Sequence, residues 1–301
     1  MTKFEILPFR LEPVFKNYIW GGEKLINFWN KNSTPPLAES WELAAHPDGD
    51  NLILNGDLKG LKLSEAVKKF PEIVSSNFDP ENNIFPLMVK LLDSKNILSV
   101  QVHPNDKYAK IYENSLGKTE LWYIINHEPD AFIYLGFDHE ISKKEFENAI
   151  LNNTLTDHLK KIYVNDGDTF LIEPGTIHAI GGGILLAEVQ QNSHITYRVY
   201  DYGRGRELHI KKALDVVKTT PINYDAKKCD KFKTKILQPE NNSINFKNPD
   251  SFKFILCLEG ECEFTNENIN LKLKLGENLF IPANSGAFKI SGSCNLLMAY
   301  V

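Results

Sequence analysis

The sequence predicts a mainly β protein with two unlike halves, each a sandwich or barrel of short strands, carrying a few short helices. Three observations predict it. Short apolar runs recur along the chain between Gly, Pro, Asn and Asp turns. Helical spacing of apolar residues is confined to three brief stretches. The rare residues are unevenly shared, with Trp20, Trp29, Trp41 and Trp122 early and Cys229, Cys257, Cys262 and Cys294 late. A chain of 301 residues is long enough for about two domains.

The elements follow in order. Leu63, Ala66, Val67 and Phe70 recur at helical spacing, and Pro71 stops that helix. Residues 85–92, 97–103, 121–126 and 132–137 read as strands. Ser142 followed by Glu145 is a capping-box start for a helix carrying Phe146, Ile150 and Leu155, expected to end near Lys161. Residues 169–172 and 184–189 are strands, and residues 209–218, with Ile210, Ala213, Leu214 and Val217 on one side, form the third helix. Ile269, Leu271, Leu273 and Leu275 alternate with Asn270, Lys272 and Lys274, the period of a half-buried strand. Gly181-Gly182-Gly183 lacks the Lys-Ser/Thr ending of a phosphate loop, and Gly203-Arg204-Gly205-Arg206 lacks the third glycine of a dinucleotide fingerprint. Both read as turns. A weak internal echo links Gly167-Asp168 and the strand after it, leading to His178, with Gly276-Glu277 and the strand after it, leading to Ala287 and Phe288. Only the first copy can present a metal ligand.

Composition narrows the function. With 34 basic against 39 acidic residues and a net charge of −5, the chain lacks the basic excess that nucleic acid or anionic lipid requires. No apolar run approaches the roughly 20 residues that span a bilayer. Lys3, Glu5, Arg10, Glu12 and Lys16 interrupt the N-terminal stretch, so a cytoplasmic protein is expected. The four cysteines contain no Cys-x-x-Cys pair, and free, mostly buried thiols are expected.

Most of the eight histidines sit in polar turns or beside helices, but His103 and His178 stand apart. Gln101 and His103 lie two apart on a strand and so share a face; Glu120 begins another strand, and His178 follows the Pro174-Gly175 turn. Together they offer an amide oxygen, two imidazoles and a carboxylate, a set suited to zinc or another first-row divalent metal. The same residues also read as polar groups satisfying a barrel rim. Lys90 follows Leu87, Met88 and Val89, and an inward-facing lysine there needs an anion, which a phosphate would supply; an outward-facing lysine is the other reading.

Residues 97–104 (Ile-Leu-Ser-Val-Gln-Val-His-Pro), 117–122 (Gly-Lys-Thr-Glu-Leu-Trp) and 175–180 (Gly-Thr-Ile-His-Ala-Ile), with Glu188 and Arg198 ten residues on, resemble successive signature blocks of the type I mannose-6-phosphate isomerases. Trp20-Gly21-Gly22 and the block at 39–47 are similar to the short bacterial branch of that family. The resemblance implies a zinc-dependent cupin enzyme, with one zinc per chain, that interconverts mannose 6-phosphate and fructose 6-phosphate. It implies two cupin-type jelly-roll barrels, a catalytic one over residues 1–230 and one without ligands over residues 231–301. The implied metal ligands are Gln101, His103, Glu120 and His178, the active-site arginine is Arg198 and the lysine of the Lys-x-Glu block is Lys118. Ser99 and Lys90 are the implied substrate-pocket residues, and Trp20 would line the sugar pocket. The chain departs from the longer enzymes at Ser193-His194, where they carry Ser-Asp, and at Ile180, where they carry Tyr.

Aldose–ketose isomerisation through an enediol needs a Lewis acid or donors on the sugar oxygens and a base. Glu188 is the first candidate base and Lys118 the second, whereas Arg198, always charged, suits developing oxyanion charge. Glu188 alternatively pairs structurally with Arg198. A metal-binding cupin that binds or senses a sugar without turnover is the competing function; a cupin oxygenase would want more histidines than the two available.

Overall fold

The computed structural model of the chain describes residues 6–222, 229–239, 244–247 and 250–301. The larger part consists of two antiparallel sheets packed face to face. One has five strands, in the order Leu159–Tyr163, Phe132–Phe137, His178–Ile180, Val100–Val102, Tyr197–Tyr200. The other has six, in the order Thr169–Ile172, Glu120–His127, Ile184–Gln191, Leu87–Ser94, Glu39–Leu43, Val14–Lys16. Trp122, Ile124, Leu186 and Leu92 of the six-stranded sheet meet Ile133, Leu135 and Ile180 of the other in a buried interior. No hydrogen-bonded ladder among the described residues joins the sheets into a closed barrel. The arrangement is a jelly-roll sandwich of the expected cupin kind.

Both outer faces are covered, which explains why the strands lack a clean alternation. Along Leu87–Ser94, residues Leu87, Val89 and Leu91 face outward into a cluster with Phe85, Phe252 and Phe280, while Leu92 faces the interior with Trp122. On the five-stranded sheet, Val100, Val102, Ala179 and Val199 pack beneath Phe146, Ile150 and Ala213 of the helices Lys143–Leu151 and Ile210–Val216. Burying each such side chain contributes about 1.5–3 kcal/mol for the larger apolar ones.

The predicted capping box is formed: Glu145 N–H donates to Ser142 Oγ at 3.1 Å, and Ser142 N–H to Glu145 Oε2 at 2.7 Å. The helix ends at Leu151, however, not near Lys161. Asn153 adopts φ 58°, reversing the chain into a 3₁₀ turn at Leu155–His158 and the edge strand Leu159–Tyr163.

In the C-terminal part, Lys253–Thr265 and Ala287–Tyr300 pair along most of their length, with a bulge between Cys257 and Glu259. Asn270–Lys274 is the strand the alternation predicted, and it pairs with Lys253–Thr265. Thr169–Ile172 and Asn278–Ile281 are strands at corresponding places, so the internal echo has a structural counterpart. Cys257, Cys262 and Cys294 lie in the core between Ile255, Phe264 and Leu296, and all four cysteines are free. Phe280 joins the halves, stacking on Phe9 at 4.9 Å and on Phe252 at 5.1 Å between ring centroids. Among the described residues no helix is long and apolar enough to cross a membrane.

Candidate active site and metal centre

Backbone hydrogen bonds gather three loops at one end of the larger sandwich. Gly175 N–H donates to the His103 carbonyl at 2.8 Å, and Lys118 N–H to the Pro104 carbonyl at 3.1 Å. Gly175 has φ 84°, and a Cβ there would meet the Val216 carbonyl oxygen at 2.7 Å, so this turn requires glycine. Register then sets the side chains. His178 and Arg198 both stand opposite Gln101 in the five-stranded sheet. In the six-stranded sheet, Trp122, Glu188, Lys90 and Trp41 form one lateral row, and Glu120 lies opposite Gln190.

His103, Glu120 and His178, all buried, bring ligand atoms within 4.8 Å of one another. His178 Nδ1 lies 2.8 Å from the Thr176 carbonyl oxygen, an acceptor only, so Nδ1 carries the proton and Nε2 presents its lone pair. That Nε2 is 3.3 Å from Glu120 Oε1, and neither atom has a hydrogen-bond partner. Two buried acceptors facing one another are repulsive unless a cation lies between them. Burial pushes His178 down to about 4 and, with the charge of Lys118 next in size, holds His103 well below the usual histidine range. Both rings are therefore neutral, the form that binds metal. Burial pushes Glu120 up to about 7 against the opposing pull of Lys118, the direction expected of a carboxylate out of contact with water. Two imidazoles and a carboxylate fit a first-row divalent metal, with the second nitrogen of His178 fixed by a backbone carbonyl.

Beside this centre lies a cavity of about 300 Å³ lined by Trp20, Lys90, Ser99, Gln101, Lys118, Glu188 and Arg198. Every residue singled out from sequence thus falls on the cavity wall or in the adjoining metal group. Lys118 joins the two: its Nζ is 2.8 Å from Glu120 Oε2 and 3.2 Å from His103 Nε2.

Lys90 faces inward, but its anion is part of the protein. Its Nζ lies 3.4 Å from Glu188 and 3.6 Å from Glu39, and 5.0 Å from the Trp41 ring centroid. Burial opposes its charge, yet Glu39, Glu188 and Glu120 together outweigh it and hold Lys90 above the usual lysine value. A phosphate is not needed to explain the lysine's direction. Nor does Glu188 pair with Arg198. Glu188 accepts from Trp122 Nε1 at 3.0 Å and faces Lys90, while Arg198 donates to Ser99 Oγ at 3.2 Å and the Glu207 carbonyl at 3.0 Å. Burial alone would raise the Glu188 pKa, but Lys118, Lys90 and Trp122 hold it below the usual carboxylate value, so Glu188 is an ionised carboxylate at the cavity wall.

Sequence reasoning missed Glu39, Tyr18, His194 and Arg206, which also line the cavity. Glu39 and Trp41 are two apart on one strand and were legible as sharing a face. His194, whose Nδ1 is 2.9 Å from Asp48, and Arg206 lie in segments without periodicity.

Comparison with known proteins agrees with this geometry. Residues 8–141 match the family model described as phosphomannose isomerase type I, catalytic domain, and residues 225–301 match that described as mannose-6-phosphate isomerase, cupin domain. The chain is 37% identical to the probable mannose-6-phosphate isomerase GmuF of Bacillus subtilis, over 97% of this chain and 99% of that protein. It is 35% identical to the mannose-6-phosphate isomerase ManA of Bacillus subtilis, over 98% and 99%. Its fold superposes on the crystal structure of the mannose 6-phosphate isomerase from Bacillus subtilis with a TM-score of 0.90 at 32% identity, covering 98% of this chain and all of that one (100%). Full-length relatives at this level, two family models in order and a buried His-Glu-His group establish that the chain belongs to the type I mannose-6-phosphate isomerase family of aldose–ketose isomerases.

Proposed function

We propose that the chain is a zinc enzyme of carbohydrate metabolism that interconverts mannose 6-phosphate and fructose 6-phosphate by proton transfer through an enediol. The observation that carries this is one cavity with an ionised Glu188 on its wall and neutral metal donors, His103 and His178, beside it. Zinc held by His103, Glu120 and His178, with Gln101 as the fourth ligand, would supply a Lewis acid for the sugar oxygens. Glu188 removes the proton from the carbon bearing the hydroxyl and returns it to the neighbouring carbon. The Lys118 amine is the second candidate, but its 2.8 Å contact with Glu120 commits it to the metal carboxylate, which favours Glu188 as base. Arg198 stabilises oxyanion charge on the enediolate. Trp20 gives the sugar an apolar wall, Ser99 fixes Arg198, and Lys90 keeps Glu188 ionised.

In this reading residues 1–230 are the catalytic domain and residues 231–301 a ligand-free cupin that braces it, and the enzyme works in the cytoplasm. The test is a coupled assay for fructose 6-phosphate on protein carrying one zinc per chain. Conversion of mannose 6-phosphate that disappears on chelation and returns with zinc supports the proposal. Full zinc occupancy without conversion overturns it and leaves a sugar-binding cupin.

A further inference from the structure

His139 and His158 are 19 positions apart in the sequence, and the fold brings their rings together. Phe137 stands opposite Leu159 at the edge of the five-stranded sheet, and Asp138 N–H donates to the His158 carbonyl at 3.1 Å. The helix after Ser142 stops at Leu151 and the chain reverses at Asn153, so the turn Leu155–His158 carries its histidine back to this edge. A helix continued to Lys161 would not do so. We propose that His139 and His158, with Asp138 behind His139, form a second site for a first-row divalent metal such as zinc, separate from the group at His103, Glu120 and His178. None of these three residues lines the cavity beside that group, so the inference stands independently of the sugar-phosphate reading above.

The convergence of ring nitrogens carries it. His158 Nδ1 lies 3.3 Å from His139 Nε2, while the ring centroids are 5.3 Å apart and the planes are inclined at 55°. The rings therefore meet nitrogen to nitrogen rather than face to face. Zinc holds imidazole nitrogens at about 2.0–2.1 Å, and two such bonds at the tetrahedral angle set the nitrogens about 3.3–3.4 Å apart. The spacing already matches, and an ion needs only the two rings to turn. His139 is set as a ligand: its Nδ1 faces the Asp138 carboxylate, so in the neutral ring Nδ1 carries the proton and Nε2 presents the lone pair. A carboxylate behind a histidine is the arrangement that orients metal-bound imidazoles and raises their basicity. His158 needs the neutral tautomer with its proton on Nε2. Glu145 adds an anion. Its carboxyl is held below the usual carboxylate range by the Ser142 N–H and hydroxyl and, in smaller part, by His139 and His158, so a carboxylate stands within electrostatic reach of both rings, and water completes the shell. The His139 and Asp138 side chains are 54% and 44% exposed, open to ions from solution. Imidazole donors select zinc, nickel or copper over magnesium and calcium. Such an ion would tie the Asp138 turn to the turn Leu155–His158 at the head of the edge strand Leu159–Tyr163.

The test titrates zinc into wild type, His139→Gln, His158→Gln and Asp138→Asn by calorimetry and follows amide hydrogen exchange alongside. Wild type is expected to bind one equivalent more than either histidine variant, a comparison that holds whatever the His103, Glu120 and His178 group takes up. As that equivalent binds, exchange in the turn Leu155–His158 should slow in wild type and stay unchanged in His158→Gln. Asp138→Asn should keep the equivalent but bind it about 10- to 100-fold more weakly, the effect of losing the group that orients a ligating histidine. Equal stoichiometry in wild type and both histidine variants at millimolar zinc overturns the site, and so does an extra equivalent whose binding leaves exchange in the turn unaltered.

Discussion

Lys90→Met tests whether the buried charge row is wired as described. The substitution removes the ammonium lying 3.4 Å from Glu188 and 3.6 Å from Glu39, with the Lys90 and Glu188 side chains 3% and 5% exposed. At an effective dielectric of about 20, each contact of this length carries roughly 5 kcal/mol of attraction. Lysine desolvation offsets much of that, and breaking one partner of such a buried pair costs about 3–5 kcal/mol. In wild type the Glu188 pKa is depressed, so its contribution to stability is present above the unfolded carboxylate value and is lost as pH falls through the folded one. Without Lys90, burial would raise the Glu188 pKa, and any stability it contributes would be lost as pH rises through that value. The deficit of Lys90→Met should therefore be full at pH 8 and shrink toward pH 5, and Glu188→Gln added to it should recover part of the loss. Urea denaturation followed by tryptophan fluorescence measures all three. A deficit under about 1 kcal/mol at pH 8, against the 3–5 expected, or one unchanged between the two pH values, would refute the reasoning.

Arg198→Ala should lower kcat by about 10²–10³-fold while zinc content by mass spectrometry stays at wild-type level; His178→Ala should lose both metal and turnover. Phe280→Ala, which deletes the ring stacked between Phe9 and Phe252, should cost about 3–5 kcal/mol in urea denaturation and weaken both halves together. Burial pushes the Cys257 thiol up to about 12, and Cys262 and Cys294 share its core. A thiol reagent should label at most Cys229 in the native protein and all four cysteines after unfolding.

How far the sequence could be read depended on the range of the interactions involved. Ser142 with Glu145, Pro71 after Phe70, and the alternation at residues 269–275 are local signals, and each has its element: the helices Lys143–Leu151 and Leu63–Lys69 and the strand Asn270–Lys274. The strand expected over residues 85–92 runs from Leu87 to Ser94, because a strand buried on both faces has no alternation to mark its ends. The helix after Ser142 is shorter than its sequence pattern, because Leu155 continues the apolar spacing beyond Leu151; the positive φ of Asn153 is a backbone event that spacing does not reveal. At the site, every residue named from sequence lies on the cavity wall or in the metal group, since motif spacing encodes the loops that Gly175 and Pro104 tie together. The pairings were less legible. Glu39 meets Lys90 from 51 positions away across two strands, and Arg198 turned to Ser99 rather than to Glu188. Such choices are made by tertiary register, not by local pattern.

The central claim, that this site moves a proton between the two sugar carbons with Glu188 as the base, is tested most directly by offering fructose 6-phosphate in D₂O and following deuterium at the second carbon of mannose 6-phosphate by NMR. Wild type should incorporate deuterium, Glu188→Gln should lose incorporation by about 10²-fold or more, and Lys118→Met should retain exchange while turning over slowly. Turnover of fructose 6-phosphate by Glu188→Gln at the wild-type rate, or exchange in Glu188→Gln at the wild-type rate, would contradict the account.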